Sequence, residues 1–143
     1  MIKNKEFNNY KMAADYILEK IGEGIEIAII LGTGLGELLD DIEERIEIPY
    51  EQIPGFLLAT NKSHPGKFIS GVLNGKKILC MAGRFHYYEG YDYDELAMPV
   101  YVMKLLGVKT LILTNAAGAI NWNIYPGDIV AITDHLNFAS VSP

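Results

Sequence analysis

The chain of 143 residues is half hydrophobic and carries a formal net charge of −6, which indicates one folded domain and excludes a disordered chain. The excess of 18 acidic over 12 basic side chains speaks against nucleic-acid binding, because neutralising phosphates requires a basic surface. The one cysteine rules out an internal disulfide, and no apolar run resembles a membrane span or a signal peptide, so we expect a soluble cytoplasmic protein.

The first part of the chain predicts a helix, a strand and a glycine-rich turn. Apolar side chains at helical spacing over 7–21 predict an amphipathic helix that ends at Gly22. The aliphatic run 25–31 is typical of a strand covered on both faces, as in a parallel sheet. The turn Gly-Thr-Gly-Leu-Gly occupies 32–36, and a short alternating strand follows at 45–48.

The middle of the chain predicts a loop and a β-hairpin. Pro-Gly pairs mark a long loop over 52–66. Two alternating strands, 68–73 and 77–81, flank Asn74-Gly75, which is the strongest short-range signal of a hairpin. A polar and aromatic segment, 83–91, comes next.

The last part predicts a second helix and two further strands. Asp92, with Glu95 three residues later, indicates a capping box at the start of a helix. Pro99 lies inside the helical pattern, so this helix either starts late or kinks. A second strand of the buried type is predicted over 108–113 and a last strand over 129–133.

These elements predict a single domain over 1–143 of the α/β class, with about six strands and only two helices. Two helices are too few to cover both faces of a parallel sheet. Either a partner subunit covers the remaining surface or the chain is the first part of a larger fold.

The glycine-rich turn is the first candidate for binding chemistry. Its backbone N–H groups can converge on an anion without side chains in the way, and the Thr33 hydroxyl adds a donor. The alternative is a tight turn that only joins two elements. The third glycine comes one residue too early for the dinucleotide fingerprint, which argues against a nicotinamide-dependent oxidoreductase.

The segment 83–91 is the second candidate. In an extended backbone, three side chains share one face: Arg84, His86 and Tyr88. Phe85 and Tyr87 point the other way and can anchor the segment in the core. Arginine matches the geometry of phosphate, and Glu89 can hold the His86 ring and favour its protonated form. The alternative is a structural Arg–Glu pair on a surface strand with core aromatics.

Other candidates stand singly. Asn115 and Ala116 follow a predicted strand, where ligands bind in open α/β sheets, although small residues there also suit close packing. His64 in the long loop can close over an anion or be merely solvated. We interpret His135 as a structural histidine and Trp122 as a packing residue. No histidine pair has metal-ligand spacing, so we expect no metal site.

Taken in order, these segments resemble the trimeric class of purine nucleoside phosphorylases, from about residue 27 to residue 137. The resemblance is carried by Gly-Thr-Gly-Leu-Gly at 32–36, His64 with Gly66, Gly-Arg-Phe-His-Tyr-Tyr-Glu-Gly-Tyr at 83–91, Leu-Leu-Gly-Val at 105–108, Thr-Asn-Ala-Ala-Gly at 114–118, Gly-Asp-Ile at 127–129 and Asp134-His135. The stretch 83–91 is the most specific of them.

The resemblance implies a mixed, largely parallel sheet of the purine and uridine phosphorylase type, incomplete in this chain. It also implies phosphorolysis of purine nucleosides, with inorganic phosphate as co-substrate, no cofactor and a homotrimer. The phosphate-binding residues would be Thr33, His64, Arg84, His86 and Ala116. Asn115 would align the phosphate, Glu89 would orient His86, and Tyr88 would contact the ribose.

Members of this family are roughly twice as long, and the other half holds the purine and protonates the leaving base. We therefore expect this chain to carry a phosphate and ribose half-site and to be deficient as a catalyst alone. A methylthioadenosine phosphorylase is an alternative, against which the segment 83–91 argues. A non-catalytic remnant that associates through an exposed sheet is another.

Overall fold

The computed structural model describes residues 4–58 and 65–138. Its regular elements are, in chain order, α1 (Asn4–Ile21), β1 (Ile27–Ile30), β2 (Glu43–Pro49), β3 (Lys67–Leu73), β4 (Lys76–Ala82), α2 (Tyr93–Leu105) and β5 (Thr110–Leu113). The strands form one sheet in the order β2-β3-β4-β1-β5. β3 pairs antiparallel with both β2 and β4, and β1 pairs in parallel with both β4 and β5. The expected mixed α/β sheet is confirmed.

The predicted hairpin joins β3 to β4. Asn74 and Gly75 have φ angles of 49° and 72°, as a two-residue turn of type I′ requires. Leu73 therefore pairs directly with Lys76.

Both helices pack on one face of the sheet. Buried side chains of α1 and α2 meet alternate strand residues such as Ala28 and Leu79 in one apolar cluster, and the Tyr10 ring stacks on Tyr101 at 5.3 Å. The opposite face has a smaller cluster that includes Ile29 and Cys80. Burial raises the pKa of the Cys80 thiol to about 11, so this cysteine stays protonated at neutral pH and is no nucleophile.

The capping box at the start of α2 forms as predicted. Asp92 accepts a hydrogen bond from the Glu95 backbone N–H at 2.8 Å, and the Glu95 carboxylate accepts one from the Asp92 backbone N–H at 2.9 Å. The helix then starts at Tyr93 and continues through Pro99. The late start considered from the sequence is therefore wrong, because the cap satisfies the first N–H groups ahead of the proline.

The sheet is uncovered at its β5 edge, and here three expectations are wrong. β5 is not buried on both faces: Ile112 is 44% exposed and Leu113 68%. No strand forms over 129–133, where Ile129 is 99% exposed. Trp122 is 94% exposed and packs in no core. The reason is shared: within the described residues nothing lies over this edge for apolar side chains to pair with or pack against. The sequence predicts too few helices to cover the sheet, and the described structure has this shortage.

Neither helix of the described residues combines the length and the apolar content needed to cross a membrane.

Candidate anion-binding site

Parallel pairing brings three of the candidate segments to one edge of the sheet. Because β1 lies between β4 and β5 and runs in the same direction as both, the carboxyl ends of the three strands are neighbours. The glycine-rich turn follows β1, the segment 83–91 follows β4, and the segment 114–118 follows β5. Ligands of open α/β sheets bind at such an edge.

Thr114 joins the glycine-rich turn to the end of β5. Its hydroxyl accepts a hydrogen bond from the Gly32 backbone N–H at 2.8 Å and donates to the Ile30 carbonyl at 3.1 Å. The two backbones approach so closely that a Cβ at Gly32 would lie 2.5 Å from the Thr114 carbonyl oxygen and 2.8 Å from the Asn115 Cα. The first glycine of the turn is therefore required by this contact.

The Arg84 guanidinium turns toward the same place. Its Nη1 donates to the Thr114 carbonyl at 2.8 Å, and its Nε donates to the His86 Nε2 at 3.4 Å. The side chain is half-buried. These contacts engage two of the five guanidinium N–H groups, so donors remain that can bind an anion beside Thr114.

Glu89 holds the His86 ring as predicted. Its Oε1 lies 2.9 Å from the His86 Nδ1 and accepts from the His86 backbone N–H, also at 2.9 Å. The carboxylate is almost wholly buried, with 2% of the side chain exposed. A carboxylate accepts only, so the ring proton is assigned to Nδ1 and Nε2 faces Arg84.

The segment 83–91 is not extended throughout, which corrects one expectation. Residues Tyr87–Glu89 form a single turn of 3-10 helix, because Glu89 bonds back to the backbone of His86. Tyr87 consequently stands 61% exposed and stacks on Tyr93 at 4.8 Å instead of anchoring the core. Phe85 alone is buried. Tyr88 still reaches the polar face, since its ring stacks on His86 at 4.8 Å.

The remaining candidates differ in their positions. Thr33 follows Gly32 at the same edge and is exposed. Asn115 and Ala116 are exposed, and the Asn115 side-chain N–H donates to the Ala116 carbonyl at 3.3 Å. His64 lies outside the described residues. His135 is an exposed residue whose backbone N–H donates to Asp134.

An open cleft of about 700 Å³ begins at Asn115. It runs along the exposed residues that follow β5 and is lined mainly by small and apolar residues between 117 and 132. No group of three or more His, Cys, Asp or Glu side chains in the described ranges is placed to hold a metal ion. The donors that the described residues place at this edge are N–H and hydroxyl groups, one guanidinium and one imidazole.

Thr114 joins the candidate site through its contacts with Gly32 and Arg84, although no sequence pattern points to it. It was visible only as the first letter of Thr-Asn-Ala-Ala-Gly, and nothing local distinguishes its hydroxyl from that of any strand-end threonine. We expect Thr114→Val to weaken phosphate binding by roughly tenfold, because two hydrogen bonds that align the turn are lost at ~0.5–1.5 kcal/mol each. Calorimetric titration with phosphate measures this. Thr110→Val, at the exposed start of the same strand, is the control, and equal affinities for both variants would contradict the assignment.

Comparison with known proteins identifies the family of this chain. A family model described as the phosphorylase superfamily matches residues 26–143. Purine nucleoside phosphorylase 1 of Geobacillus stearothermophilus is 47% identical over 93% of this chain and 48% of its own length. The purine nucleoside phosphorylase of Bos taurus is 39% identical over 99% of this chain and 49% of its own length.

Solved structures give the same result. Isoform 2 of purine nucleoside phosphorylase from Schistosoma mansoni, in complex with cytosine and ribose-1-phosphate, has 48% identity and a TM-score of 0.78. The match covers 85% of this chain and 43% of that one. The chain thus spans about half the length of the relatives that it matches.

Proposed function

The chain belongs to the phosphorylase superfamily, and from this premise we propose that it supplies the phosphate and ribose half-site for the phosphorolysis of purine nucleosides. The reaction converts a purine (deoxy)ribonucleoside and phosphate to the free base and (deoxy)ribose 1-phosphate. The observation that carries the proposal is the convergence of Arg84 and Gly32 on Thr114, which gathers anion donors from three segments at one strand edge.

The chemistry asks for this kind of site. As the glycosidic C1′–N bond breaks, its electron pair leaves with the base and positive charge grows on the ribose. A phosphate dianion held against C1′ stabilises that charge and then forms the new C1′–O bond. The protein therefore has to desolvate and align an anion, and the N–H groups and guanidinium at this edge suit that task.

Each side chain has a proposed role. The Arg84 guanidinium, the Thr33 hydroxyl, the Ala116 N–H and the His86 ring would bind phosphate, with His64 joining them from its loop. Glu89 would orient His86, and its 2.9 Å contact with the ring supports this. Asn115 would align the phosphate. Tyr88, stacked on His86, would contact the ribose.

The chain is proposed to be a deficient catalyst alone. Its relatives are about twice as long, and the purine would be held, and the leaving base protonated, by the part that this chain does not match. Exposed apolar side chains after β5 support this view: Ile120 is 96% exposed and Phe138 89%. Exposed apolar side chains such as these form a surface that is suited to burial against further polypeptide.

Further expectations come from the family alone and are part of the proposal. Residues 1–143 would form one phosphorylase-like unit that works in the cytoplasm within a homotrimer. Inorganic phosphate would be the co-substrate, and no metal or organic cofactor would take part.

The experiment supplies the part of a relative that this chain does not match. The purified chain is assayed with phosphate and inosine, guanosine, adenosine or methylthioadenosine, alone and after co-expression with the part of the Geobacillus stearothermophilus relative that it does not match. We expect no turnover alone, and co-elution with purine-nucleoside phosphorolysis in the presence of that part. The variant Arg45→Ala, on the distant strand β2, serves as a control that retains activity.

Each other outcome rejects a stated part of the proposal. Turnover by the chain alone at the level of the full-length relative would remove the claim of deficiency. Co-elution without turnover would identify a non-catalytic interaction module instead. Preference for methylthioadenosine over inosine would assign the chain to the neighbouring class of phosphorylases, and failure to co-elute would contradict the claim that the chain acts together with such a part.

A further inference from the structure

Tyr50 is a buried polar residue that no step of the proposed reaction uses. It begins the short turn after β2 and is 1% exposed. Its hydroxyl donates a hydrogen bond of 2.7 Å to the carbonyl of Gly83, 33 residues further along the chain. Gly83 has a φ angle of 93°, so the backbone between β4 and Arg84 takes a left-handed conformation that favours glycine.

The Tyr50 ring also packs against the residue that follows Arg84 in the chain. Its centroid lies 5.3 Å from that of Phe85, whose side chain is buried. Phe56 and Phe68 complete the cluster around Tyr50 at 5.3 and 5.2 Å. One side chain thus holds the carbonyl before Arg84 through its hydroxyl and the ring after Arg84 through packing.

This double contact restricts the Arg84 backbone. A change in the left-handed Gly83 conformation would break the hydrogen bond to Tyr50 and leave a buried carbonyl without its partner, which is unfavourable. The Arg84 guanidinium reaches Thr114 from this fixed starting point. We propose that Tyr50 is a positioning residue for anion binding, acting through the Gly83 carbonyl to direct Arg84 toward Thr114.

The inference rests on the proposed anion site but can fail independently of it. Burial raises the pKa of the Tyr50 hydroxyl, so the group stays protonated and donates at any working pH. The alternative is that Tyr50 only fills the core, in which case its ring matters and its hydroxyl does not affect Arg84.

Tyr50→Phe separates the two because it removes the hydroxyl and keeps the ring. The matched control is Ser70→Ala: the Ser70 hydroxyl is buried and donates to the Ile78 carbonyl at 3.1 Å, within strands β3 and β4. Both variants delete one hydroxyl donor from a buried carbonyl. Affinity for phosphate is measured calorimetrically below the unfolding midpoint of both, and we expect Tyr50→Phe to bind phosphate several-fold more weakly while Ser70→Ala binds like the unmodified chain.

A second readout does not require phosphate. The chain has only two arginines, Arg45 and Arg84, so its NMR spectrum contains two guanidinium Nε–H signals. We expect Tyr50→Phe to shift the signal of Arg84 and not that of Arg45, and Ser70→Ala to shift neither. A role limited to core packing would not produce this selective shift.

The outcomes distinguish this inference from the proposed function. If the unmodified chain binds no phosphate, the proposed anion site is wrong, and the Nε–H signal alone decides whether Tyr50 directs Arg84. If phosphate binds and Tyr50→Phe matches Ser70→Ala in both affinity and Nε–H shift, the positioning role is overturned. Should Tyr50→Phe not fold, 4-fluorophenylalanine at this position fills the space of the hydroxyl without a donor, and an unmoved Arg84 signal would again overturn the inference.

Discussion

Arg84→Ala is expected to abolish binding of phosphate and sulfate at ordinary concentrations. The Arg84 guanidinium is the one arginine at the strand edge, and it is half-buried beside Thr114. A charge-assisted hydrogen bond contributes ~1.5–3 kcal/mol, and partial burial adds to this, so affinity should fall by roughly 10- to 100-fold or more. Isothermal titration calorimetry with phosphate and with sulfate measures the loss.

The second arginine provides a control of equal charge. Arg45 lies on β2 and pairs with Glu47 at 2.9 Å. Arg45→Ala changes the net charge by the same amount as Arg84→Ala but leaves the strand edge intact, so its affinity for phosphate should stay unchanged. Equal losses in both variants would mean that the anion responds to overall charge, and unchanged affinity in Arg84→Ala would move the site elsewhere.

Gly32→Ala is expected to remove anion binding together with part of the stability. Its Cβ would lie 2.5 Å from the Thr114 carbonyl oxygen, and this oxygen is the one that holds Arg84. This oxygen and the Asn115 Cα, which the Cβ would also meet, are backbone atoms, so the turn and the end of β5 must move apart. Overpacking of this kind costs ~1–3 kcal/mol, which should lower the thermal unfolding midpoint, and the displaced Thr114 should carry Arg84 out of position.

A second glycine of the same turn makes the control specific. A Cβ at Gly36 meets nothing within 4 Å. Gly36→Ala should therefore keep both the unfolding midpoint and the affinity for phosphate, because alanine retains the backbone N–H and has space for its methyl group. If Gly32→Ala behaves like Gly36→Ala, the close approach of the turn to Thr114 does not exist in solution.

The resemblance to purine nucleoside phosphorylases, drawn from a few ordered motifs, is confirmed by the family model and by relatives at 39% and 47% identity. The individual roles of Thr33, Ala116 and the other candidate residues stay predictions. The contact between Glu89 and His86 was also predictable, because the two residues are three apart. An extended backbone would place the Tyr87 side chain in the core beside Phe85, but residues Tyr87–Glu89 form a turn and the Tyr87 ring is exposed.

By itself the sequence determined the local structure and the family: the hairpin at Asn74-Gly75, the capping box at Asp92, and the motifs at 32–36 and 83–91. Such features depend on neighbours in the chain, so their patterns are legible without a fold. Only the tertiary structure decided that Gly32 lies on Thr114, 82 residues away, and that the Tyr50 hydroxyl bonds to the Gly83 carbonyl beside Arg84. Only it located the uncovered surface at the β5 edge. Contacts between distant residues depend on strand order and register, which no local spacing encodes.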